Sequence, residues 1–301
     1  MLCPLCASND ARKIQQYDVS RLVQDWNSKF GLDVRQDFGE VEQFELWECE
    51  QCRLRFFTPA ILAGSPEFYV RLEGLSWYYN MPRKWEHDVA LQDLRGSGRV
   101  LEVGSGVGDF VAMARNEAGL ALEGIEVNEA AVTRAQQQGL PVRLANLMDM
   151  AKQEIGKYDA LCNFQVLEHV PDPGEFLRAC CALLRSSGKL VFGVPDADSY
   201  IRHEWNLLDM PPHHMSRWSG EVLARIQKLF PLRLLQVRRE PLAEYHVEGY
   251  VDTYLEICER YGLPQRIRHS RIRNGIVMCL KRSGVYRQLR GQTLYAFYEK
   301  V

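Results

Sequence analysis

No apolar run in this sequence approaches the roughly 18 residues that a membrane-spanning helix needs. The first residues, Met1-Leu2-Cys3-Pro4-Leu5-Cys6, offer neither the basic flank nor the continuous apolar stretch of a secretory leader. These absences predict no transmembrane segment and a cytoplasmic protein. An excess of charge is also missing: 37 basic against 39 acidic residues leave a formal net charge of −2, which argues against wholesale coating of nucleic acid. There is no internal repeat and no low-complexity tract. What remains is globular in composition, since 46% hydrophobic content over 301 residues can bury one full core plus a small appended domain.

The chain has nine cysteines, which in a reducing compartment read as metal ligands or buried small residues rather than as disulfides. Four of them form two Cys-x-x-Cys knuckles, Cys3-Pro4-Leu5-Cys6 and Cys49-Glu50-Gln51-Cys52. Each spacing lets two thiolates face one tetrahedral ion, so Cys3, Cys6, Cys49 and Cys52 are predicted to hold structural zinc. Redox or unrelated knuckles are the alternative. Four thiolates leave no open coordination position, which argues against a catalytic metal there. Residues 11–45 are expected to loop out between the knuckles, with the alternation in Phe44-Glu45-Leu46-Trp47-Glu48 marking a strand that leads into the second. Cys162, Cys180, Cys181, Cys258 and Cys279 lie in apolar segments and read as core filler.

The most informative stretch is Val100-Leu101-Glu102-Val103-Gly104-Ser105-Gly106-Val107-Gly108-Asp109-Phe110. An apolar strand runs into a glycine-rich turn that a helix leaves at once, the arrangement of a nucleotide site. The next apolar run, Ala121-Leu122-Glu123-Gly124-Ile125-Glu126-Val127, places Glu126 near the spacing of about 20 residues at which a carboxylate reaches ribose hydroxyls. Two details argue against a dinucleotide. The turn reads Gly-x-Gly-x-Gly instead of Gly-x-Gly-x-x-Gly, and Asp109 puts negative charge where a phosphate would want the helix end. A ligand that combines adenosine with a positively charged amino acid fits better, because Glu102 and Asp109 then attract it.

With LEVGSGVGDF, the acid at Glu126 and the later YDALCNFQVLEHVPDP, the chain resembles the class I S-adenosylmethionine-dependent methyltransferases over roughly residues 96–240. A sugar- or nicotinamide-binding Rossmann domain is the alternative. The segment CPLC…WECEQCRLRFFTPA, followed by SPEFYVRLEGLSWYYNMPRKWEHD, is similar to the amino-terminal region of zinc-ribbon methyltransferases, which include sugar C-methyltransferases and enzymes of secondary pathways. Those relatives often carry a longer carboxy-terminal domain than this chain. A second family with a zinc knuckle before the same core methylates ribosomal RNA, with cysteines more tightly spaced.

The resemblance implies an α/β fold, a seven-stranded doubly wound Rossmann-like methyltransferase sheet with a small N-terminal zinc ribbon. Alternating signals agree. Strands are expected at Arg99 to Val103, Leu122 to Val127, Pro141 to Leu144, Tyr158 to Phe164, Lys189 to Val194, Leu232 to Arg238 and Thr293 to Tyr298. Helices are expected at Trp85 to Leu94, Asp109 to Ala118, Glu129 to Gln138, Gly174 to Leu184 and Gly220 to Phe230. In the resembled family the last strand lies antiparallel beside the sixth. The domains are then a zinc ribbon at 1–60, a helical lid at 61–95, a core at 96–241 and 292–301, and a basic helical insertion at 242–291.

Ligands of such sheets bind at the carboxyl ends of the strands. Gly104, Ser105 and Gly106 would hold the amino acid part of S-adenosylmethionine, with Glu102 contributing charge. Glu126 would hold the ribose, Val127 would pack on the adenine, Asn146 would hydrogen-bond the adenine or serve as a turn residue, and Gln165 would face the methionine or methyl group. Methyl transfer is an in-line displacement, so the protein aligns the nucleophile and accepts a proton, a task suited to histidine. His214, in Met210-Pro211-Pro212-His213-His214-Met215-Ser216-Arg217-Trp218-Ser219, lies where the resembled family places a substrate-facing histidine. His213 is the second candidate base, and a helix-entry loop is the bland alternative. Glu168 and His169 are read as loop-holding residues, with a divalent ion as the alternative. Tyr78 and Tyr79, with Trp77 and Trp85, would form an aromatic lid in which Tyr79 joins the catalytic set, or else pack a helix into the core.

From Gln265 to Gly291 the chain carries Arg266, Arg268, Arg271, Arg273, Lys281, Arg282, Arg287 and Arg290 and no acid. This suits a diphosphate-bearing substrate, a peripheral contact with an anionic membrane or RNA, or it is a solvated face balancing acids elsewhere. The resulting expectation is methylation of a small-molecule, sugar or glycan intermediate at oxygen or carbon. The alternatives are an RNA methyltransferase and a non-catalytic cofactor-binding scaffold.

Overall fold

The computed structural model describes residues 1–75, 78, 83–262 and 264–301. In chain order its strands are β1 (Ala11–Asp18), β2 (Gln43–Cys49), β3 (Arg55–Thr58), β4 (Arg99–Val103), β5 (Ala121–Glu126), β6 (Val142–Leu144), β7 (Tyr158–Phe164), β8 (Leu184–Pro195), β9 (Ser216–Arg217), β10 (Leu232–Pro241) and β11 (Arg290–Lys300). The helices are α1 (Val19–Phe30), α2 (Pro66–Glu73), α3 (Trp85–Asp93), α4 (Asp109–Ala118), α5 (Glu129–Gln137), α6 (Leu147–Gln153), α7 (Pro173–Leu183), α8 (Gly220–Ile226), α9 (Val247–Arg260) and α10 (Arg271–Ser283).

The main sheet has the order β10-β11-β8-β7-β4-β5-β6. Strands β4 to β8 pair in parallel, while β11 inserts antiparallel between β8 and β10. Every residue of β7 but Asp159 is buried, as expected of a strand covered on both faces. Side-chain oxygens start the covering helices: Asn128, Asn146, Asp172 and Ser219 accept N–H bonds from the first turns of α5, α6, α7 and α8. Chain order reverses on either side of β4, between β5 and β7, so the crevice beyond the carboxyl ends of β4, β5 and β7 is the fold's natural ligand site.

The expected core elements are present with shifted ends. The helix expected to reach Phe230 stops at Ile226, because Lys228 and Leu229 turn back to Arg225 and Ile226 ahead of Pro231, which disfavours helix before it. The strand expected at Lys189 begins at Leu184, and the register irregularity between Tyr158 and Ala160 accommodates the extra residues that β8 carries between Leu184 and Lys189.

The segment 11–45 does not loop out. It forms β1, α1 and the start of β2, with their own core in which Tyr17, Val19, Leu22, Trp26, Phe38 and Phe44 meet Phe57 and Phe68. The spacing of Val19, Leu22 and Trp26 is that of one helix face, a signal present in the sequence. A second, antiparallel sheet has the order β1-β2-β3-β9, so a strand from the methyltransferase core closes the N-terminal sheet.

Candidate active site

Beyond β4 the chain turns through Gly104 and Gly106, both with positive φ (73° and 53°). A Cβ at Gly104 would lie 2.7 Å from Val166, whereas one at Gly106 would meet nothing within 4 Å. Gly104 is therefore required by packing, and Gly106 leaves the main chain open to a ligand. The N–H of Gly106 donates to Oε2 of Glu126 at 2.9 Å, while Oε1 of Glu126 accepts from the N–H groups of Val127 (2.7 Å) and Asn128 (3.0 Å). The carboxylate at the end of β5 is thus fixed against the turn. Ser105 is buried, its hydroxyl donating to the carbonyl of Ile125.

Glu102 is buried and its Oε2 has no hydrogen-bond partner among the described residues. Burial, reinforced by the charges of Asp109 and Glu126, pushes its carboxyl well above the usual range. A buried carboxyl with one oxygen lacking such a partner beside an open glycine turn suits a ligand bearing an ammonium group. Val127 is 65% exposed at the rim. The amide oxygen of Asn146 accepts the N–H of Met148 at 2.8 Å and caps α6, the turn role weighed for it. Gln165 has φ of 57°, unusual for a residue other than glycine, and its Nε2 donates to Glu86 at 3.0 Å.

The loop after β7 links the turn to a second cluster. Val166 packs on Gly104, and three residues on, the His169 ring stands 4.6 Å from that of His213 and 4.8 Å from that of His214. The ring nitrogens of these three histidines offer ligand atoms within 4.8 Å of one another. Their partners differ. In His213, Nδ1 meets the carbonyl of Leu208 at 2.7 Å and Nε2 meets the hydroxyl of Tyr78 at 2.7 Å, so both nitrogens are engaged. His169 Nδ1 meets the carbonyl of His213 at 2.6 Å. His214 Nδ1 faces Oδ1 of Asp209 at 3.3 Å, and Arg217 pairs with the other oxygen of Asp209 at 2.8 Å. Burial holds His213 and His214 well below the usual histidine range and His169 down to about 4, so the imidazoles are neutral near pH 7. Glu168 is buried, neither carboxylate oxygen is hydrogen-bonded among the described residues, with His169 Nε2 3.9 Å from Oε1, and burial pushes it up to about 8.

The N-terminal sheet holds this loop. Phe56 and Arg55 of β3 pair with Ser216 and Arg217, the N–H of Phe57 donates to the carbonyl of Met215, and the N–H groups of Met215 and Ser216 donate to the carbonyl of Glu168. The sequence reading missed Asp209, Glu86 and this pairing; the last joins residues about 160 positions apart and leaves no local trace. Tyr79 and Trp77 lie outside the described residues. Trp85 packs against the core cluster of α3 and α4.

Cys3, Cys6, Cys49 and Cys52 converge, with sulfurs 3.5 Å apart in the pairs Cys3–Cys52 and Cys6–Cys49 and all four within 4.8 Å. The hydrogen bond from Cys52 lowers Cys3 to about 5, while burial raises Cys6 to about 12. Four thiols this close share few ionisations unless a cation sits among them, and their separation matches a tetrahedral thiolate site. Cys162, Cys180 and Cys181 are buried as expected. Cys258 and Cys279 are exposed, a correction to their reading as core filler, because they fall on the outward faces of the amphipathic α9 and α10. Of the basic residues at 265–291, Arg268, Arg273, Lys281 and Arg290 pair with Glu256, Asp252, Glu248 and Asp196. No helix among the described residues is long and apolar enough to cross a membrane.

Comparison with known proteins bears on this arrangement. A family model described as a methyltransferase domain matches residues 77–237. The ubiquinone biosynthesis O-methyltransferase of Bordetella avium (strain 197N) is 35% identical over 113 residues, 35% of this chain and 46% of that protein. Its counterpart in Xanthomonas oryzae pv. oryzae (strain PXO99A) is 34% identical over 115 residues, 36% of this chain and 47% of that protein. The chain thus spans about half the length of the curated relatives it matches. A solved structure of a SAM-dependent methyltransferase from Archaeoglobus fulgidus is 18% identical with a TM-score of 0.46, covering 71% of this chain and 94% of that one. With the family model spanning more than half of the chain and lying over the glycine turn, Glu126 and the histidine loop, the protein belongs to the methyltransferase domain family, among the class I S-adenosylmethionine-dependent methyltransferases.

Proposed function

We propose that the protein transfers a methyl group from S-adenosylmethionine to an oxygen of a small-molecule acceptor, with His214 as the proton acceptor. The observation that carries this reading is the buried Asp209–His214 pair, which is linked through His169 and Val166 to the glycine turn. Asp209 engages Nδ1, so the proton of a neutral His214 belongs there and Nε2 keeps its lone pair. A neutral imidazole of this kind takes the proton from an acceptor hydroxyl as the oxygen becomes methylated.

Bound S-adenosylmethionine supplies an electrophilic methyl on a sulfonium. The chain's own residues bind and orient. Glu126 would receive the ribose hydroxyls, Val127 would pack on the adenine, and Asn146, whose amide oxygen caps α6, would offer its amide nitrogen to the ring. The turn Gly104-Ser105-Gly106, whose N–H groups are held by Ile125 and Glu126, would line the amino acid end with open main chain, and Glu102 would face its ammonium group. Gln165, held by its left-handed backbone and by its bond to Glu86, would face the methionine. His213, anchored by Leu208 and Tyr78, sets the position of His214. Oxygen is favoured because the two relatives are named ubiquinone biosynthesis O-methyltransferases. A glycan or diphosphate is not part of this reading: the relatives are named for another class of product, and Arg268, Arg273, Lys281 and Arg290, half of the basic residues of 265–291, are occupied by carboxylates.

Cys3, Cys6, Cys49 and Cys52 hold a structural zinc ion in this reading, and the ion stiffens the sheet whose β3 grips the His213–His214 loop. The test is transfer of isotopically labelled methyl from S-adenosylmethionine into a cell extract, with product sorted by size and by ribonuclease sensitivity. Label in small, ribonuclease-resistant material that is lost with His214→Ala supports the proposal. Label released by ribonuclease, or unchanged transfer by His214→Ala, overturns it.

A further inference from the structure

The acid-free segment resolves into two kinds of positive charge. On the inner side of α10, Arg273 and Lys281 are spent on Asp252 and Glu248 of α9, and Val277 is buried between the helices. On the outer side, Arg271 and Arg282 are exposed and meet no carboxylate among the described residues, and the same holds for Arg266 in the approach to the helix. Between them stand side chains that a solvated helix would not display: Ile272 is 58% exposed, Ile276 39% and Met278 49%. Ile272 and Ile276 are four residues apart on one face, with Arg271 and Arg282 at its margin.

From this juxtaposition of unpaired guanidiniums with exposed aliphatic side chains on one helix face, we infer that α10 docks on an anionic phospholipid surface. Neither component by itself selects that partner. Unpaired arginines alone suit any polyanion, and exposed aliphatics alone suit any apolar surface. Together, without a carboxylate in the segment, they fit a boundary where phosphates lie over hydrocarbon. A single-stranded nucleic acid calls for aromatic platforms on which bases stack, and this face offers isoleucine and methionine instead. The geometry of the fold agrees. The α9–α10 pair leaves the sheet after β10 and packs on Tyr200 and Ile201, in the segment leading to Asp209. The pair is inserted between β10 and β11, which lie at the opposite end of the sheet order from β5 and β6 beside Glu126.

The test uses the full chain and sedimentation with vesicles of phosphatidylcholine alone or containing about one-third phosphatidylglycerol. The expected result is pelleting with the anionic vesicles only, weakened by added salt. Arg271→Gln with Arg282→Gln lowers the partition coefficient by roughly 30-fold, from the usual contribution of a basic side chain at such a surface. Ile272→Asn with Ile276→Asn lowers it by at least about tenfold while salt sensitivity persists. Both pairs are exposed, so melting temperature and S-adenosylhomocysteine affinity should match the parent protein. Equal binding to neutral vesicles, or no binding to either, overturns the inference. So does a fall in oligomer mass with Ile272→Asn and Ile276→Asn, which would mark the face as a contact between two copies. Retention of a single-stranded RNA probe that the arginine pair abolishes, with vesicles ignored, would assign the charge to nucleic acid.

Discussion

The two halves of the candidate site are assembled over very different distances along the chain. On the cofactor side, the glycine turn after β4 and Glu126 after β5 come from neighbouring parallel strands, and one hydrogen bond from Gly106 joins them. On the histidine side, Asp209, His213 and His214 lie on an irregular segment that is held by Glu168 from the β7 loop, Tyr78, and β3 of the N-terminal sheet. A side built by adjacent strands depends little on the rest of the molecule. A side built by remote strands should fail whenever any of its supports does.

Changing His214 to Ala should produce the largest effect, a loss of about 10²- to 10⁴-fold in kcat with unchanged affinity for S-adenosylhomocysteine. Calorimetric titration beside steady-state rates separates the two halves; a parallel loss of affinity would break the distinction. Cys49→Ser, or metal removal by a chelator, tests the remote support. Loosening β3 should lower kcat by about 100-fold through displacement of the histidine loop, again sparing the cofactor side. Equal damage to both sides would mean that the N-terminal sheet supports the whole fold. Glu126→Ala is the reciprocal experiment. Losing charge-assisted hydrogen bonds should weaken S-adenosylhomocysteine binding by about 10- to 100-fold, and kcat at saturation should change far less.

The pH dependence of stability sharpens the contrast because the histidine side holds most of the displaced titrations. His169 is held down to about 4 from an ordinary 6.5, so between these values the unfolded chain binds a proton that the native one refuses, and stability rises with pH. His213 and His214 act in the same direction. Glu168 is pushed up to about 8 from 4.5, so the unfolded chain releases a proton that the native one keeps, and stability falls as pH rises through that window. The histidines govern the acid limb and Glu168 contributes to the limb between 6.5 and 8. Glu168→Gln should make that limb shallower in melting experiments, with the remaining slope owed in part to Glu102. The smallest effect belongs to Asn146→Ala, which removes the cap of α6 and should cost about 1 kcal/mol in denaturant unfolding.

The same division explains what could be read in advance. The turn, the acid that closes β5 against it and the parallel strands were legible because each is announced within a few residues: glycines where φ must be positive, an acid ending an apolar run, continuous apolar strands. Helix and strand ends drifted where a proline or a bulge decided the matter, as at Pro231 and between Tyr158 and Ala160. The knuckles were legible from spacing, but the order of 11–45 was not, although the face formed by Val19, Leu22 and Trp26 was there to be found.

By itself, then, the sequence determined the sheet that binds the cofactor and the convergence of four thiols, because periodicity, turn chemistry and ligand spacing are local properties. Only the tertiary structure decided that Asp209 accompanies His214, that both nitrogens of His213 are engaged, and that β3 and β9 join the N-terminal sheet to the histidine loop. It also decided which arginines of α10 are paired and which face outward. The physical reason is that hydrogen bonds and burial are set by which surfaces meet, and surfaces more than a hundred residues apart leave no mark of their meeting in either segment.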